Sequence, residues 1–150
     1  PFLLQPGCMR RLLLAFGFLL LALPARAEID WGVRAGIVTD PTDAVIGAEL
    51  VLPFARVFTF NPNVEQTFGE RDMFALNADV HYDFYAENRS NAWIGAGVAL
   101  AVPEGSDLDP GVNLLAGFGR RQAGYFPYGQ AKVMVLDSDT RASFVFGVRF

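Results

Sequence analysis

ASFVFGVRF, residues 142–150, is the stretch on which the reading of the fold turns. Successive side chains of an extended strand point to opposite faces, so Phe144, Phe146, Val148 and Phe150 share one side while Ser143, Gly147 and Arg149 share the other. At the edge of an open sheet such an aromatic strand would template pairing with another chain. In a closed barrel the last strand pairs with the first and no edge is left, so the stretch predicts a barrel.

Upstream, the same period-two pattern recurs between turn residues and predicts eight strands, at 29–38, 44–53, 57–68, 73–84, 92–102, 112–120, 125–136 and 142–150. Most are as long as a tilted strand needs to be to cross a hydrocarbon layer, about 9 to 11 residues. The fourth is the cleanest: Phe74, Leu76, Ala78, Val80, Tyr82 and Phe84 oppose Asn77, Asp79, His81 and Asp83. In the second, Ile46, Ala48, Leu50 and Leu52 oppose Gly47 and Glu49, and in the third Gln66 interrupts an otherwise apolar face. Glycines on the polar faces of the later strands have two readings. They either make room for Arg34, Tyr128, Lys132 and Arg149, since eight strands enclose little space, or simply permit bending.

A soluble lipocalin-like barrel would turn the apolar face inward, and a membrane barrel would turn it to lipid. The polar face here carries a single lysine, with carboxylates set against bases in near balance. Charges taken out of water must be paired, and this balance favours a polar interior. Arg34, Glu49, Glu65, Asp79, His81, Asp83, Lys132 and Arg149 are therefore expected to form an interior charge network. Aromatics fall toward the predicted rims, Trp31, Tyr82, Phe84 and Phe150 at one and Phe68 and Phe74 at the other, as interfacial girdles do. The fold class expected is all-β, an eight-stranded antiparallel up-and-down transmembrane barrel. On these faces Leu76→Arg or Val80→Arg should be costly and Asn77→Ser mild.

The amino-terminal part reads as a secretory signal. Met9, Arg10 and Arg11 form a basic head, residues 12–23 an apolar run too short to span a bilayer, and Ala25-Arg26-Ala27 a small-residue cleavage site. The expected organisation is an upstream extension at 1–8, a signal peptide at 9–27 and a barrel domain at 28–150. The only cysteine, Cys8, lies in the extension, so the barrel has no thiol chemistry. The whole chain has a formal net charge of −4, and the part from Glu28 onward about −7, which argues against nucleic acid as a partner.

Signal, eight alternating strands and the aromatic Phe150 together resemble the small bacterial outer-membrane β-barrel family, the OmpA/OmpX-type and opacity-like barrels. The resemblance implies an integral outer-membrane protein exported by a cleaved signal. It also implies contact with outer-membrane lipid and lipopolysaccharide, and a barrel-assembly machinery that reads Phe144, Phe146, Val148 and Phe150 as an assembly signal. Members of this family often carry long outer loops, whereas the connections here are short. Such barrels include structural proteins, adhesins, narrow pores and lipid-modifying enzymes, so fold alone does not assign the role.

In such a barrel both termini face the periplasm. The connections near 39–43, 69–72, 103–111 and 137–141 then face outward and are rich in aspartate and glutamate, while the opposite turns carry Arg56, Arg89, Arg120 and Arg121. Aspartate is a good turn residue; the sharper reading is an acidic rim holding Ca²⁺ or Mg²⁺ through oxygen ligands, although no loop has a calcium-site spacing. Catalytic candidates are few. His81 is the only histidine, and lipid A deacylases on this fold use a histidine with a serine two residues later, where this chain has Asp83. Ser90, Ser106, Ser138 and Ser143 fall mostly in connections, against a Ser-His hydrolase. The expectation is a non-enzymatic, monomeric barrel with a structural or envelope-integrity role, a packed polar interior and no cofactor. A membrane-embedded lipid A-modifying enzyme and a narrow solute pore are the alternatives.

Overall fold

The computed structural model describes residues 29–39, 41–70, 72–85, 89–105 and 107–150. The extension and signal expected at 1–27 lie outside the described residues. Eight strands follow one another as β1 (Asp30–Val38), β2 (Asp43–Ala55), β3 (Phe58–Phe68), β4 (Met73–Tyr85), β5 (Ser90–Pro103), β6 (Asp109–Arg120), β7 (Phe126–Leu136) and β8 (Thr140–Arg149). Each pairs antiparallel with its sequence neighbours, and β8 pairs with β1, closing the barrel. At the seam Trp31 N–H donates to Phe150 O at 3.2 Å, Phe150 N–H donates to Trp31 O at 2.8 Å, and the two rings lie 5.0 Å apart.

Several strands run further than the alternation alone indicates. β2 and β6 begin at Asp43 and Asp109, positions that read as turn residues in sequence. Their carboxylates instead accept the backbone N–H of Glu70 at 2.8 Å and of Asp137 at 3.0 Å, tying neighbouring turns to the ladder ends.

The two faces separate cleanly. Leu76 and Val80 are 48% and 40% exposed, whereas Asn77, Asp79 and His81 between them are buried. The same contrast runs through all eight strands and leaves an apolar outer surface around a polar interior. Leu52, expected among the outward residues of β2, is instead buried, beside the point where the β2–β3 register shifts between Pro53 and Ala55. Gln66 is half-buried on the apolar face and donates its amide to Thr67 O at 2.9 Å.

The inward glycines make room. An added Cβ at Gly117 would lie 2.2 Å from the Trp93 ring, at Gly119 2.4 Å from Phe126, at Gly147 2.4 Å from Tyr128 and at Gly97 2.2 Å from an Asp79 oxygen. Tyr128 is one of the side chains singled out in sequence, and Gly32 and Gly47 likewise face Arg149 and Arg34, at 3.0 and 3.3 Å from an added Cβ, while Trp93 and Phe126 are additional. Aromatic and aliphatic clusters cap the two halves of the lumen: Trp93, Leu115, Phe126 and Tyr128 toward the end with residues 29 and 150, and Met73, Ala75, Ala99, Ala101, Met134 and Leu136 toward the other.

Candidate functional site

Between these clusters lies a layer of charge. Inward positions of β1, β2, β3, β7 and β8 bring Arg34, Glu49, Glu65, Lys132 and Arg149 together, all buried. Glu65 sits between two bases: Lys132 Nζ hydrogen-bonds to Oε2, and Arg34 Nη2 is 3.1 Å from Oε1. Arg34 Nη1 also lies 3.8 Å from Glu49 Oε2. Glu49 accepts Arg149 Nε–H at 2.8 Å and the Tyr128 hydroxyl at 2.6 Å on the same oxygen. A carboxylate stripped of water at a cost of several kcal/mol is stable only when such donors replace the lost hydration.

Amides extend the network across β3, β4 and β6. Asn63 and Asn113 donate to the two oxygens of Asp79 at 2.9 and 2.8 Å, Asn77 donates to Asn63 Oδ1 at 2.9 Å, and Asn113 also donates to Asn77 Oδ1 at 2.9 Å. Asn61 donates to Glu49 Oε2 at 2.9 Å, and Arg34 Nη2 to Asn63 Oδ1. Asp79 therefore reaches the charged layer through amides rather than an ion pair. An asparagine supplies both donors and acceptors, so Asn61, Asn63, Asn77 and Asn113 relay polarity across the lumen without adding charge.

Two of the eight residues singled out by sequence stand apart. Asp83 accepts Thr59 Oγ1–H at 2.7 Å and Asn91 Nδ2–H at 2.8 Å near the barrel end. His81 stacks on Trp93, with ring centroids 6.0 Å apart and planes 15° apart, and its Nε2 has no hydrogen-bond partner among the described residues. It forms no hydrogen bond to a serine among those residues.

Trp93 is the contributor that sequence reading left out. Its indole N–H donates to Gln130 Oε1 at 3.2 Å, and the Arg149 guanidinium carbon lies 4.8 Å from its ring, 4.4 Å from Tyr128 and 5.8 Å from Phe126. A cation amid three rings gains from their quadrupoles while paired with Glu49. The available signal was parity: Trp93 shares the inward phase of Gly95 and Gly97.

Free space is small at mid-lumen and larger at the two mouths, about 540 Å³ beside Asp109, Asp137 and Arg141 at the end away from residues 29 and 150. Around Val38, Thr67, Met73, Lys132 and Met134 the free volume is about 20 Å³, room for roughly one water molecule. A wider vestibule of about 250 Å³ opens at the end with residues 29 and 150, lined by Asp30, Thr59, Asp83, Arg89 and Arg121. At the opposite rim acidic side chains hold the turns: Asp72 Oδ1 accepts Gly69 N–H at 2.9 Å, Asp139 Oδ1 accepts Thr140 N–H at 2.8 Å, and Asp109 Oδ2 accepts the Ser138 hydroxyl. No group of three or more His, Cys, Asp or Glu side chains among the described residues is placed to hold a metal ion.

The chain matches no protein-family model and no curated protein sequence. Solved structures do resemble it. Neisserial surface protein A superposes with a TM-score of 0.65 at 11% identity, over 82% of this chain and 97% of that one. The N-terminal β-barrel domain of Pseudomonas aeruginosa OprF gives 0.66 at 12%, over 83% and 98%. The outer-membrane enzyme PagL gives 0.56 at 14%, over 81% and 98%. The fold is thus that of small eight-stranded outer-membrane barrels, and the group includes an enzyme.

Proposed function

We propose that this chain is an integral outer-membrane barrel with a structural, envelope-supporting role, without catalytic activity and without an open channel. One observation carries the reading: an apolar outer surface on all eight strands encloses a lumen whose charges are held by ion pairs or by hydrogen bonds from amides and hydroxyls. In water such a surface would far exceed the few hundred Å² of contiguous apolar area that soluble monomers expose; in hydrocarbon it is the required exterior. The similarity to solved outer-membrane barrels supports the same placement.

The lumen supports the rest. Its carboxylates and bases hold one another rather than flanking a path, and His81, the one histidine, is buried inside against Trp93, away from acyl chains outside the barrel. Short connections leave little surface for an elaborate adhesive face. Cell fractionation, planar-bilayer conductance and lipid A mass spectrometry of expressing and non-expressing cells test the proposal together. The expected result is protein in the outer membrane, no conductance steps and unchanged lipid A. A mass shift in lipid A would assign an enzyme instead, and ohmic steps a pore.

A further inference from the structure

Three of the exposed basic residues at the end holding residues 29 and 150 are gathered, with Arg56 apart from them on the β2–β3 turn. Ser90 stands opposite Arg120 in the β5–β6 register, and Arg121 N–H donates to Arg89 O at 2.8 Å, so two turns bring Arg89, Arg120 and Arg121 side by side. Arg121 is engaged, 3.0 Å from Asp30 and over the Phe126 ring at 5.9 Å. Arg89 and Arg120 are exposed, and no carboxylate among the described residues pairs with either.

Their surroundings point to a lipid surface. Arg120 continues the outward row Leu114, Ala116 and Phe118 at the margin of the apolar surface, with Phe84, Tyr85, Phe118 and Tyr125 exposed at the same end. Aliphatic, then aromatic, then cationic is the order of hydrocarbon, interface and headgroup. Arg89 has φ 59°, a left-handed conformation that glycine or asparagine adopts more readily, so the backbone would be better served by another residue. The chain as a whole is negative, so attraction to an anion at this end must be local.

We propose that Arg89 and Arg120 form a docking surface for the phosphodiester headgroup of an anionic glycerophospholipid in the leaflet at this end of the barrel. The guanidinium fork matches two phosphate oxygens, and the aromatic side chains beside it meet the glycerol and upper acyl region. The inference rests on the membrane placement proposed above and specifies which lipid the barrel retains.

The test is electron spin resonance of the full chain refolded into phosphatidylcholine vesicles containing trace spin-labelled phosphatidylglycerol or spin-labelled phosphatidylcholine. The motionally restricted fraction should show phosphatidylglycerol preferred by about five-fold, the worth of one basic residue near an anionic surface. The preference should fall toward parity in Arg89→Asn/Arg120→Gln, while Arg56→Gln, at the β2–β3 turn of the same end, retains it. Asparagine suits the left-handed backbone, so an unchanged unfolding midpoint shows that the variant barrel is intact. Equal association of the two lipids with the inserted barrel, or equal loss in Arg56→Gln, overturns the docking surface. Failure to insert into either vesicle overturns the membrane placement and this inference with it.

Discussion

Glu65 and Gly117 show how individual residues set the interior. Glu65 is shared between Lys132 and Arg34, so Lys132→Met leaves it one base short, and breaking a buried pair of this kind costs about 3 to 5 kcal/mol. In Lys132→Met/Glu65→Gln the charge and its main partner leave together, and the loss should be clearly smaller than the sum of the single losses. Urea unfolding of the vesicle-inserted variants measures the cycle, and strictly additive losses would mean that the two groups are separately solvated. Gly117 makes a steric prediction. Gly117→Ala drives a methyl into the Trp93 ring and should cost about 1 to 3 kcal/mol, whereas Gly129→Ala meets nothing closer than 3.6 Å and should change stability by less than about 0.5 kcal/mol. The same unfolding titrations compare them, and equal effects would contradict the packing of Trp93 against β6.

At the scale of the strands, position in the alternation decides what a substitution does. Leu76, 48% exposed on β4, meets the surroundings rather than the core, so Leu76→Arg should cost about 2 to 4 kcal/mol near mid-membrane. Leu115 on β6 is buried inward, and Leu115→Ala should cost about 2 to 5 kcal/mol, more than Leu76→Ala, whose place lipid can fill. Equal losses for the two alanine variants would overturn the assignment of faces. Asn77→Ser, mild on the sequence argument, is expected instead to destabilise the barrel, because Asn77 links Asn63, Glu65 and Asn113. The difference marks the limit of reading from sequence. Strand order and the sidedness of β4 were legible because period two is a local property of the chain. Hydrogen-bond partners were not, because which inward side chains meet depends on register and stagger across strands far apart in sequence, as with Lys132 and Glu65. Trp93 was passed over for a related reason. Its parity on β5 points inward, but the space that admits an indole there comes from Gly117 on β6, a neighbour that register sets.

Among the described residues the interior is packed along the barrel axis at three levels made of different materials. Arg149 amid Trp93, Phe126 and Tyr128 fills one half, the Arg34–Glu65–Lys132 layer fills the middle, and Met73, Met134 and Leu136 fill the other half. An ion entering from the vestibule would have to displace rings, then separate buried ion pairs, then pass Met73 and Met134, beside which only about 20 Å³ is free among Thr67, Arg141 and Ser143. Opening one level leaves the other two in place. Trp93→Ala should therefore leave the barrel as silent in a planar bilayer as the parent chain, although the lost ring costs stability, about 3 to 5 kcal/mol for removing a large buried aromatic. The informative variant removes charge from the middle as well: Trp93→Ala combined with Lys132→Met and Glu65→Gln should still be silent, because the Met73–Met134–Leu136 layer excludes a hydrated ion. Conductance steps in Trp93→Ala alone would show that the charged layer parts readily and that the aromatic cluster is the only closure. The lumen would then be a gated path rather than a packed core, and the structural role proposed for the barrel would give way to transport.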